Sequence, residues 1–433
     1  MLALLLALQG AVSPAQAPTD SLPQVTLVEA LQRAARLDPN YVAALGQVDN
    51  AAWARRNAFA VFVLPSVAMN VNRQSTDPAG FFFTDSLLRL KTTWSAQLSA
   101  RYDLFTGGQK FAELARSGAA LQGAHADELR QRFATALLTE SDYYAVLQNA
   151  ELDRVARERL RRAREQLAVA RARVSSGAAV STDSLTLRLE LTRAQVAQLQ
   201  QGSALRIARL ELGRRVGAAG PVDAAPLDSV AAPELPVTLA DAISEAARQG
   251  PDYRAAAANE RAASAAYRAE LGNYLPHATL TYTKLSLGTK FYPNDLFKQT
   301  NLTLGISFPI WNNGQRELAL SRANVNKEIA RARRQDMDRA VQHDVTAAYD
   351  AYVTARATAE FATQGLVVAR ESFRVQQTRY SSGATTILDL LEAEVNLSQA
   401  EADLVQARYG WRLALSGLEM ILGKRLFTDK EPQ

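Results

Sequence analysis

Residues 25–41 read VTLVEALQRAARLDPNY, and residues 237–253 read VTLADAISEAARQGPDY. The two stretches share their first three residues, a central Ala-Ala-Arg, a proline and the closing tyrosine. Similarity between such distant segments indicates an internal duplication. The repeat unit is roughly 210 residues, far longer than the unit of a solenoid, so we expect each copy to be a structural half of one molecule.

Shorter motifs recur in the same order inside the two halves. LFTGGQK (104–110) corresponds to IWNNGQR (310–316), and VSSGA (174–178) corresponds to YSSGA (380–384). A Leu-Gly pair closes each half. The matching order predicts that both halves contain the same succession of secondary structure elements.

The longest predicted element in each half is a helix. The intervals 108–177 and 314–383 contain no proline and are rich in Ala, Arg, Leu, Gln and Glu. A helix of this length spans about 100 Å at about 1.5 Å per residue, and it needs a neighbour along its length. Returning helices over about 181–212 and 386–422, after each Ser-Ser-Gly turn, would supply that neighbour. We therefore predict two long antiparallel αα-hairpins with their tips at these turns.

Four segments alternate apolar and polar residues with the period of two that is typical of β-strands. They precede the long helices, at about 66–73, 92–105, 277–287 and 298–309. Four amphipathic strands cannot close a barrel, and an open sheet in lipid would leave its edges unpaired at a cost of several kcal/mol per group. Either the sheet packs on the chain's own helices, or several chains pool their strands. Three chains would give twelve strands, which is within the range of known membrane barrels.

The composition argues against several classes of function. The net charge of +5 is small for 433 residues, and both signs are interspersed along the predicted helices, so we expect no nucleic-acid partner. There is no cysteine, which removes disulfides, thiol catalysis and thiolate metal sites. His125, His277 and His343 lack the spacing of metal ligands, and no catalytic triad or phosphate-binding loop stands out. We predict no enzyme activity and no cofactor.

The sequence divides into five segments. An apolar run ending at Ala15-Gln16-Ala17 has the form of a secretory signal with an A-x-A cleavage site, and the alternative is an ordinary apolar N-terminal helix. Residues 214–236 are rich in Pro, Gly and Ala, which is typical of a linker. The predicted organisation is a signal peptide (1–17), a first structural repeat (18–213), the linker (214–236), a second structural repeat (237–423) and a C-terminal tail (424–433).

This order of elements resembles the TolC-type outer membrane efflux proteins. The motifs that carry the resemblance are LFTGGQK (104–110) and PIWNNGQR (309–316) at the strand-to-helix junctions, RYSSGATTILDLLEAEVNL (379–397) at the second tip and RVSSGAAVSTDSLTLRLELTRAQ (173–195) at the first. The resemblance covers about residues 25–423 and implies a mainly α fold with a membrane β-barrel part. It implies a homotrimer, in which four strands per chain form one 12-stranded barrel and the hairpins form an α-barrel tunnel.

The resemblance also implies a location, a function and partners. We expect the protein in the outer membrane of a Gram-negative-type cell, with a large periplasmic part, as the passive exit duct of a tripartite efflux or type I secretion system. Its expected partners are two further copies, outer membrane lipid, a periplasmic adaptor (membrane fusion) protein and an inner membrane transporter of the RND, ABC or MFS type. Drugs, metals and secreted proteins all stay open as cargo. The alternative function is a periplasmic coiled-coil scaffold without channel activity, whose strands form a small soluble sheet.

In the family, acidic residues just after the second tip glycine line the periplasmic entrance. The matching residues are Asp389 and Glu392, which lie three apart on one helix face and would form two stacked acidic rings in a trimer. The alternative is a solvated helix face or a favourable charge at a helix N-terminus. Where the family sometimes has an arginine, two residues after the tip glycine, this chain has Thr385, which puts a salt-bridged latch in doubt.

Further site candidates lie at the tips and at the strand-to-helix junctions. The candidates for hydrogen bonds that hold a gate closed are Tyr380, Asp183, Thr182 and Thr385, with a bond from Tyr380 to Asp183 expected. The alternative role of Thr182 and Asp183 is helix capping. The expected adaptor contacts are Ser176, Gly177, Ser382 and Gly383, and the junction residues are Gly107, Gly108, Asn313 and Gly314.

Overall fold

A computed structural model describes residues 22–81, 89–227, 232–288 and 297–427. The predicted signal peptide and most of the predicted C-terminal tail lie outside these residues. The chain divides into two compact units. The first consists of Met1–Leu37, Leu138–Ala232 and Ala357–Leu413, and the second consists of Asp38–Leu137, Pro233–Arg356 and Ala414–Gln433.

The described part of the chain is mainly helical. In chain order the elements are β1 (Gln24–Val25), α1 (Leu27–Leu37), α2 (Pro39–Val63), β2 (Ser66–Phe81), β3 (Arg89–Thr106), α3 (Gln109–Ser175), α4 (Ser181–Arg215), β4 (Asp223–Ala224), α5 (Leu239–Gln249), α6 (Pro251–Leu271), a 3-10 turn (Gly272–Tyr274), β5 (His277–Gly288), β6 (Phe297–Ser307), α7 (Gln315–Ser381) and α8 (Ile387–Leu422). Helices α3 and α7 each have 67 residues, as expected for the proline-free intervals. Within the described ranges, no helix is both long and apolar enough to cross a membrane.

The core of the first unit includes part of the predicted linker. Strand β4 pairs with β1 in parallel, with Val25 opposite Ala224. Both side chains are buried, and the hydroxyl of the buried Tyr143 donates to the carbonyl of Ala225 (2.7 Å). Burial raises the pKa of Tyr143 to about 12. The part of the predicted linker through residue 225 is therefore packed structure.

The core of the second unit brings together three helices. Ala242 and Ala246 of α5 pack with Val341 and Val345 of α7, and with Leu418 of α8. Alanine on α5 allows the helices to approach closely, and all five side chains are almost completely removed from solvent. This contact holds the end of the chain against the beginning of the predicted second repeat.

The second unit also carries a four-stranded antiparallel sheet in the order β2-β3-β5-β6. The register aligns an apolar row on one face of the sheet, Val67–Ala100–Tyr282–Leu302. The adjacent row, whose side chains point to the opposite face, is mostly polar: Ala68–Ser99–Thr283–Asn301. The apolar face is open: the exposed fraction is 65% for Val67, 69% for Leu302 and 73% for Ile306. Among the described residues, no strand pairs with the outer edge of β2 or of β6. Among the described residues, the helices of the second unit therefore leave most of this face uncovered.

Each strand-to-helix junction combines left-handed residues with a cation. Gly107 and Asn313 both have a φ of 60°, and each is followed by a glycine with positive φ. Lys110 donates to the carbonyl of Asp103 (2.6 Å) and lies 4.2 Å from the Tyr102 ring centroid. The second junction has the same arrangement, since the Arg316 guanidinium donates to the carbonyl of Pro309 (3.2 Å) and lies 4.0 Å from the Tyr274 ring centroid. The final Lys of the first motif thus ties the start of α3 to β3, and the final Arg of the second motif ties the start of α7 to the segment after β6.

Gly107 is also the point of closest backbone approach at the first junction. A Cβ atom there would lie 2.2 Å from the carbonyl oxygen of Gly272. The adjacent side chains of Gln109 and Asn273 form a hydrogen bond of 2.6 Å. The neighbouring Gly108 also has positive φ, but a Cβ atom there would meet nothing within 4 Å. A substitution at Gly108 therefore tests the cost of the positive φ alone. A substitution at Gly107 tests that cost together with a steric clash against backbone.

We expect Gly107→Ala to lower the thermal unfolding midpoint of the purified protein more than Gly108→Ala. Both changes impose a positive φ on alanine, which costs about 1 kcal/mol, and only the first adds a clash with backbone. Thermal melts followed by circular dichroism in detergent would measure the difference. Equal shifts for the two variants would contradict the close approach of Gly107 and Gly272.

Candidate functional site at the helical tips

Both tips lie in the first unit and have the same turn. In the first tip Gly177 has a φ of 75°, and the amide of Ala178 donates to the carbonyl of Arg173 (2.8 Å). The second tip repeats this turn, with a φ of 80° at Gly383 and the equivalent bond from Ala384 at 2.7 Å. These are Schellman-type helix ends, in which a glycine adopts the left-handed region without strain. The positive φ at each tip therefore favours glycine independently of any contact with a partner.

The serines beside these glycines bond within their own helices. The hydroxyls of Ser176 and Ser382 donate to the carbonyls of Arg173 and Arg379, each at 3.0 Å. Both serines and the adjacent glycines are exposed. This leaves the two turns accessible in the single chain, as a contact surface requires.

The second tip continues into a capping box. Thr386 is the residue before α8, and its hydroxyl accepts a hydrogen bond from the amide of Asp389 (3.3 Å). The Asp389 carboxylate accepts in return from the Thr386 amide (3.0 Å) and from the hydroxyls of Thr385 and Thr386 (2.7 Å each). These bonds lower the pKa of Asp389 to about 2, with the hydroxyl of Thr385 the largest cause. Asp389 thus has the helix N-terminal role that was the alternative to an acidic ring, while remaining exposed and charged.

Glu392 lies one helical turn beyond Asp389 and is also exposed. Among the described residues it has no hydrogen-bond or ion-pair partner, in contrast to Asp389. Of the two predicted entrance carboxylates, Glu392 is therefore the one with no local structural role.

The first tip lacks the capping box. Val180 precedes α4 where Thr386 precedes α8, and it provides no side-chain hydrogen bond to the helix. Asp183, at the position that corresponds to Asp389, is therefore not used as a cap. It acts instead on the phenol of Tyr380, which is 3% exposed: burial raises the pKa of Tyr380, and the negative charge of Asp183 adds to the effect. The structure brings the predicted pair together, although the phenol oxygen makes no hydrogen bond of standard geometry to any described residue.

Arg173 joins the two tips and was not predicted from the sequence. Its guanidinium donates to the backbone carbonyl of Tyr380 and to that of Ala178 (3.3 Å), and it lies 4.6 Å from the Tyr380 ring centroid. The chain has Thr385 where the family sometimes has arginine, and the cation that contacts Tyr380 is Arg173 of the other tip. The available signal was the arginine that begins both tip motifs, RVSSGA and RYSSGA. Arg379, its counterpart in the second tip, is exposed and reaches only its own turn, at Ala384 (3.5 Å).

Two of the predicted gate residues make only local contacts. Thr182 is exposed, and its carbonyl accepts from the hydroxyl of Thr186 (3.0 Å). The hydroxyl of Thr385 donates to Asp389 rather than to the first tip. The geometry therefore brings together Tyr380, Asp183 and Arg173, and leaves Thr182 and Thr385 outside that group. Within the described ranges, no cluster of three or more His, Cys, Asp or Glu residues could hold a metal ion.

Comparisons with known proteins agree with this architecture. Residues 242–424 match the family described as outer membrane efflux protein. The chain is 28% identical over 339 residues to the pyoverdine export outer membrane protein OpmQ of Pseudomonas putida, covering 72% of this chain and 67% of the relative.

Two solved channel structures show the same fold. The outer-membrane channel OprN superposes with a TM-score of 0.79 at 18% identity, covering 92% of this chain and 89% of its own. The Campylobacter jejuni CmeC outer membrane channel gives a TM-score of 0.79 at 14% identity, with 94% and 87% covered.

The contrast between the tips predicts opposite effects of two substitutions. Thr386→Ala removes the cap of α8 and should cost about 1 kcal/mol locally, which raises amide exchange in the first turn of α8 about fivefold. Val180→Thr places a capping hydroxyl before α4 and should slow exchange in the first turn of that helix. Hydrogen–deuterium exchange measured on peptides from both tips would test this. Equal exchange in wild type and both variants would refute the assigned caps.

Proposed function

We propose that the chain is a TolC-type outer membrane efflux protein and that three copies form the exit duct of a tripartite efflux or type I secretion system. In this proposal the duct is passive and performs no catalysis. Cargo is delivered by an inner membrane transporter of the RND, ABC or MFS type through a periplasmic adaptor, and it leaves through a barrel in the outer membrane.

The observation that carries the proposal is the open sheet. Its apolar face is exposed in the single chain, and its edges at β2 and β6 have no strand partner among the described residues. In lipid, unpaired backbone groups cost several kcal/mol each, and exposed apolar side chains cost nothing. Joining the β6 edge of one copy to the β2 edge of the next pairs the backbone groups of both edges and leaves the apolar face in contact with lipid. Three copies supply twelve strands, an even number within the known range, and the number three is taken from the family.

Exposed apolar residues on α4 support assembly of the helical part as well. Leu185, Leu189, Val196 and Leu199 have exposed fractions of 63%, 52%, 48% and 68%. Their spacing of four, seven and three residues follows a heptad pattern, so they form one stripe along the helix. Such a stripe is typical of a helix that packs against another helix, and in our proposal the partner is a helix of the neighbouring copy.

The tips form the periplasmic entrance in this proposal. Asp389 and Glu392 from three copies make two stacked acidic rings that concentrate cations. Asp389 keeps its charge because its capping bonds stabilise the carboxylate. The exposed turns at Ser176, Gly177, Ser382 and Gly383 are where the adaptor binds.

The closed entrance is held by contacts between the two hairpins. Tyr380 is the centre of this latch, with Arg173 on its carbonyl and ring and Asp183 beside its hydroxyl. Opening moves one hairpin away from the other at the tips. A hydrogen bond from the phenol of Tyr380 to Asp183 would tighten this latch, and its loss would release it.

Chemical cross-linking in native membranes should give a trimer band, because the sheet closes only with two further copies. The protein should be extracted by detergent and should be absent from the aqueous fraction. Cross-linking after denaturation in urea is the control and should give monomer alone. A monomer or dimer band from native membranes, or an aqueous protein, would contradict the pooled barrel.

Asp389→Ala and Glu392→Ala should each reduce the cation selectivity of the channel in planar bilayers. Since the pKa of Asp389 is about 2, its share of the selectivity should persist when the pH falls from about 7 to about 4, where an ordinary carboxyl starts to become neutral. Below about pH 2 that share should disappear, because the carboxylate is then protonated. Glu371→Ala, which removes an exposed carboxylate paired with Arg374, is the matched control. Selectivity that is unchanged in both entrance variants would remove the acidic rings from the proposal.

A further inference from the structure

Three charged residues on α3, spaced eleven positions apart, contact the other hairpin. These residues are Glu151, Arg162 and Arg173, and Glu140 continues the series as a buried carboxylate that is 3% exposed. Eleven residues are close to three turns of an α-helix, so the members of the series lie on one face. We refer to the contacts of Glu151, Arg162 and Arg173 as the α3 ladder.

The rung farthest from the tips joins α3 to α8 with a negative charge on α3. The Glu151 carboxylate accepts from the Arg408 guanidinium (2.9 and 3.0 Å) and from the Tyr409 hydroxyl (2.7 Å). The Tyr409 ring also stacks on that of Tyr144, at 6.1 Å between centroids. This rung is therefore part of the apolar core of the first unit.

The middle rung reverses the signs and is the most deeply buried. Arg162 donates to Glu394 (2.9 Å) and to Glu401 (3.1 Å), both on α8, and its guanidinium lies 5.8 Å from the Phe373 ring of α7. Gln166 donates to the second oxygen of Glu394 (3.3 Å). Arg162 is 9% exposed and Glu394 is 2% exposed. A buried pair of this kind is strongly destabilising to break, because separation leaves an uncompensated charge out of water.

The rung at the tip is weaker. Arg173 reaches the carbonyl and ring of Tyr380 but no carboxylate on the other hairpin, and its side chain is only partly buried. A hydrogen bond to a backbone carbonyl is lost at little cost when water can replace it. The ladder therefore increases in strength from the tip to Arg162.

We propose that Arg162, held between Glu394 and Glu401, is the positioning residue at which the separation of the two hairpins stops. This inference rests on the proposed function, since it locates the inner limit of the opening motion. Arg162 lies 13 residues before the end of α3, so the part of the hairpins that separates is roughly 20 Å long and includes the small apolar cluster of Leu167 and Leu187. Contacts between Arg162 and the tips open and close. The Arg162 contacts and those farther from the tips stay formed.

The signs of the rungs also fix the axial register of α3 against α8. If α3 moved by one eleven-residue period in one direction, Glu151 would meet Glu394. A shift in the other direction would bring Arg162 to Arg408. Both displacements bring like charges together, so a sliding motion is disfavoured and a pivoting motion at the tips remains.

The proposal can be tested with spin labels, because the chain has no cysteine and Ser175→Cys with Ser381→Cys labels both exposed tips. Distances would be measured by double electron–electron resonance in the detergent-purified protein, and conductance would be measured in planar bilayers. Arg173→Gln should lengthen the tip distance. Adding Arg162→Gln with Glu394→Gln should lengthen it further and raise the conductance. This pair of substitutions removes both charges of the most buried contact and leaves the more exposed Glu401 as the remaining carboxylate.

Arg161→Gln with Glu158→Gln is the matched control, since this ion pair is exposed and lies within α3 alone. It should leave both readouts at their wild-type values. Glu401→Gln removes one acceptor and keeps the Arg162–Glu394 pair, so it should give an intermediate shift even if the double variant folds poorly. Tip distances and conductance equal to those of the control, in the double variant and in Glu401→Gln, would overturn the proposal. A wild-type protein without conductance or trimers would instead contradict the proposed function, and the label distances would still decide the role of Arg162.

Discussion

A β-sheet edge in lipid has no water to bond to, and this constraint governs how the molecule can exist. One copy of the chain presents edges at β2 and β6 and an apolar face with Leu302, Leu304 and Ile306 more than half exposed. No rearrangement of four strands removes both edges. In the proposed assembly the sheet closes with identical partners, which supply complementary edges in register. The long helices need neighbours along their length, and the returning helices of the same chain supply part of that contact.

The two tips show how similar halves come to have different roles. Both have the same Ser-Ser-Gly turn, but the residue before the returning helix is Val180 in one and Thr386 in the other. With threonine, the aspartate three residues later is committed to the helix N-terminus. With valine, the corresponding Asp183 is available to act on Tyr380 of the other hairpin. One change of residue type thus gives one tip a fixed surface charge and the other a contact between hairpins.

Much of this architecture was predictable from local signals. The absence of proline marked α3 and α7, the period of two marked the strands, and the left-handed turns coincide with Gly177 and Gly383. The pairing of β1 with β4 had no such signal, because a two-residue strand shows no periodicity. The contacts of Arg173 and Arg162 depend on how helices that are distant in sequence pack together. The sequence therefore shows that these residues are arginines but not which residues they contact. The T-x-x-D spacing from Thr386 to Asp389 is compatible with a helix N-terminal role for Asp389. From the sequence alone, this role was the alternative to an acidic ring.

The β1–β4 pair has a consequence for the order in which the first unit forms. Its two strands are about 200 residues apart, so closing them costs more loop entropy than any contact within a hairpin. Contacts of such high contact order form late, after local helices have already reduced the freedom of the chain between them. We therefore expect Val25 to pair after α3 and α4 have brought Ala224 into place, so the N-terminal strand is a late addition to its unit rather than a nucleus for it.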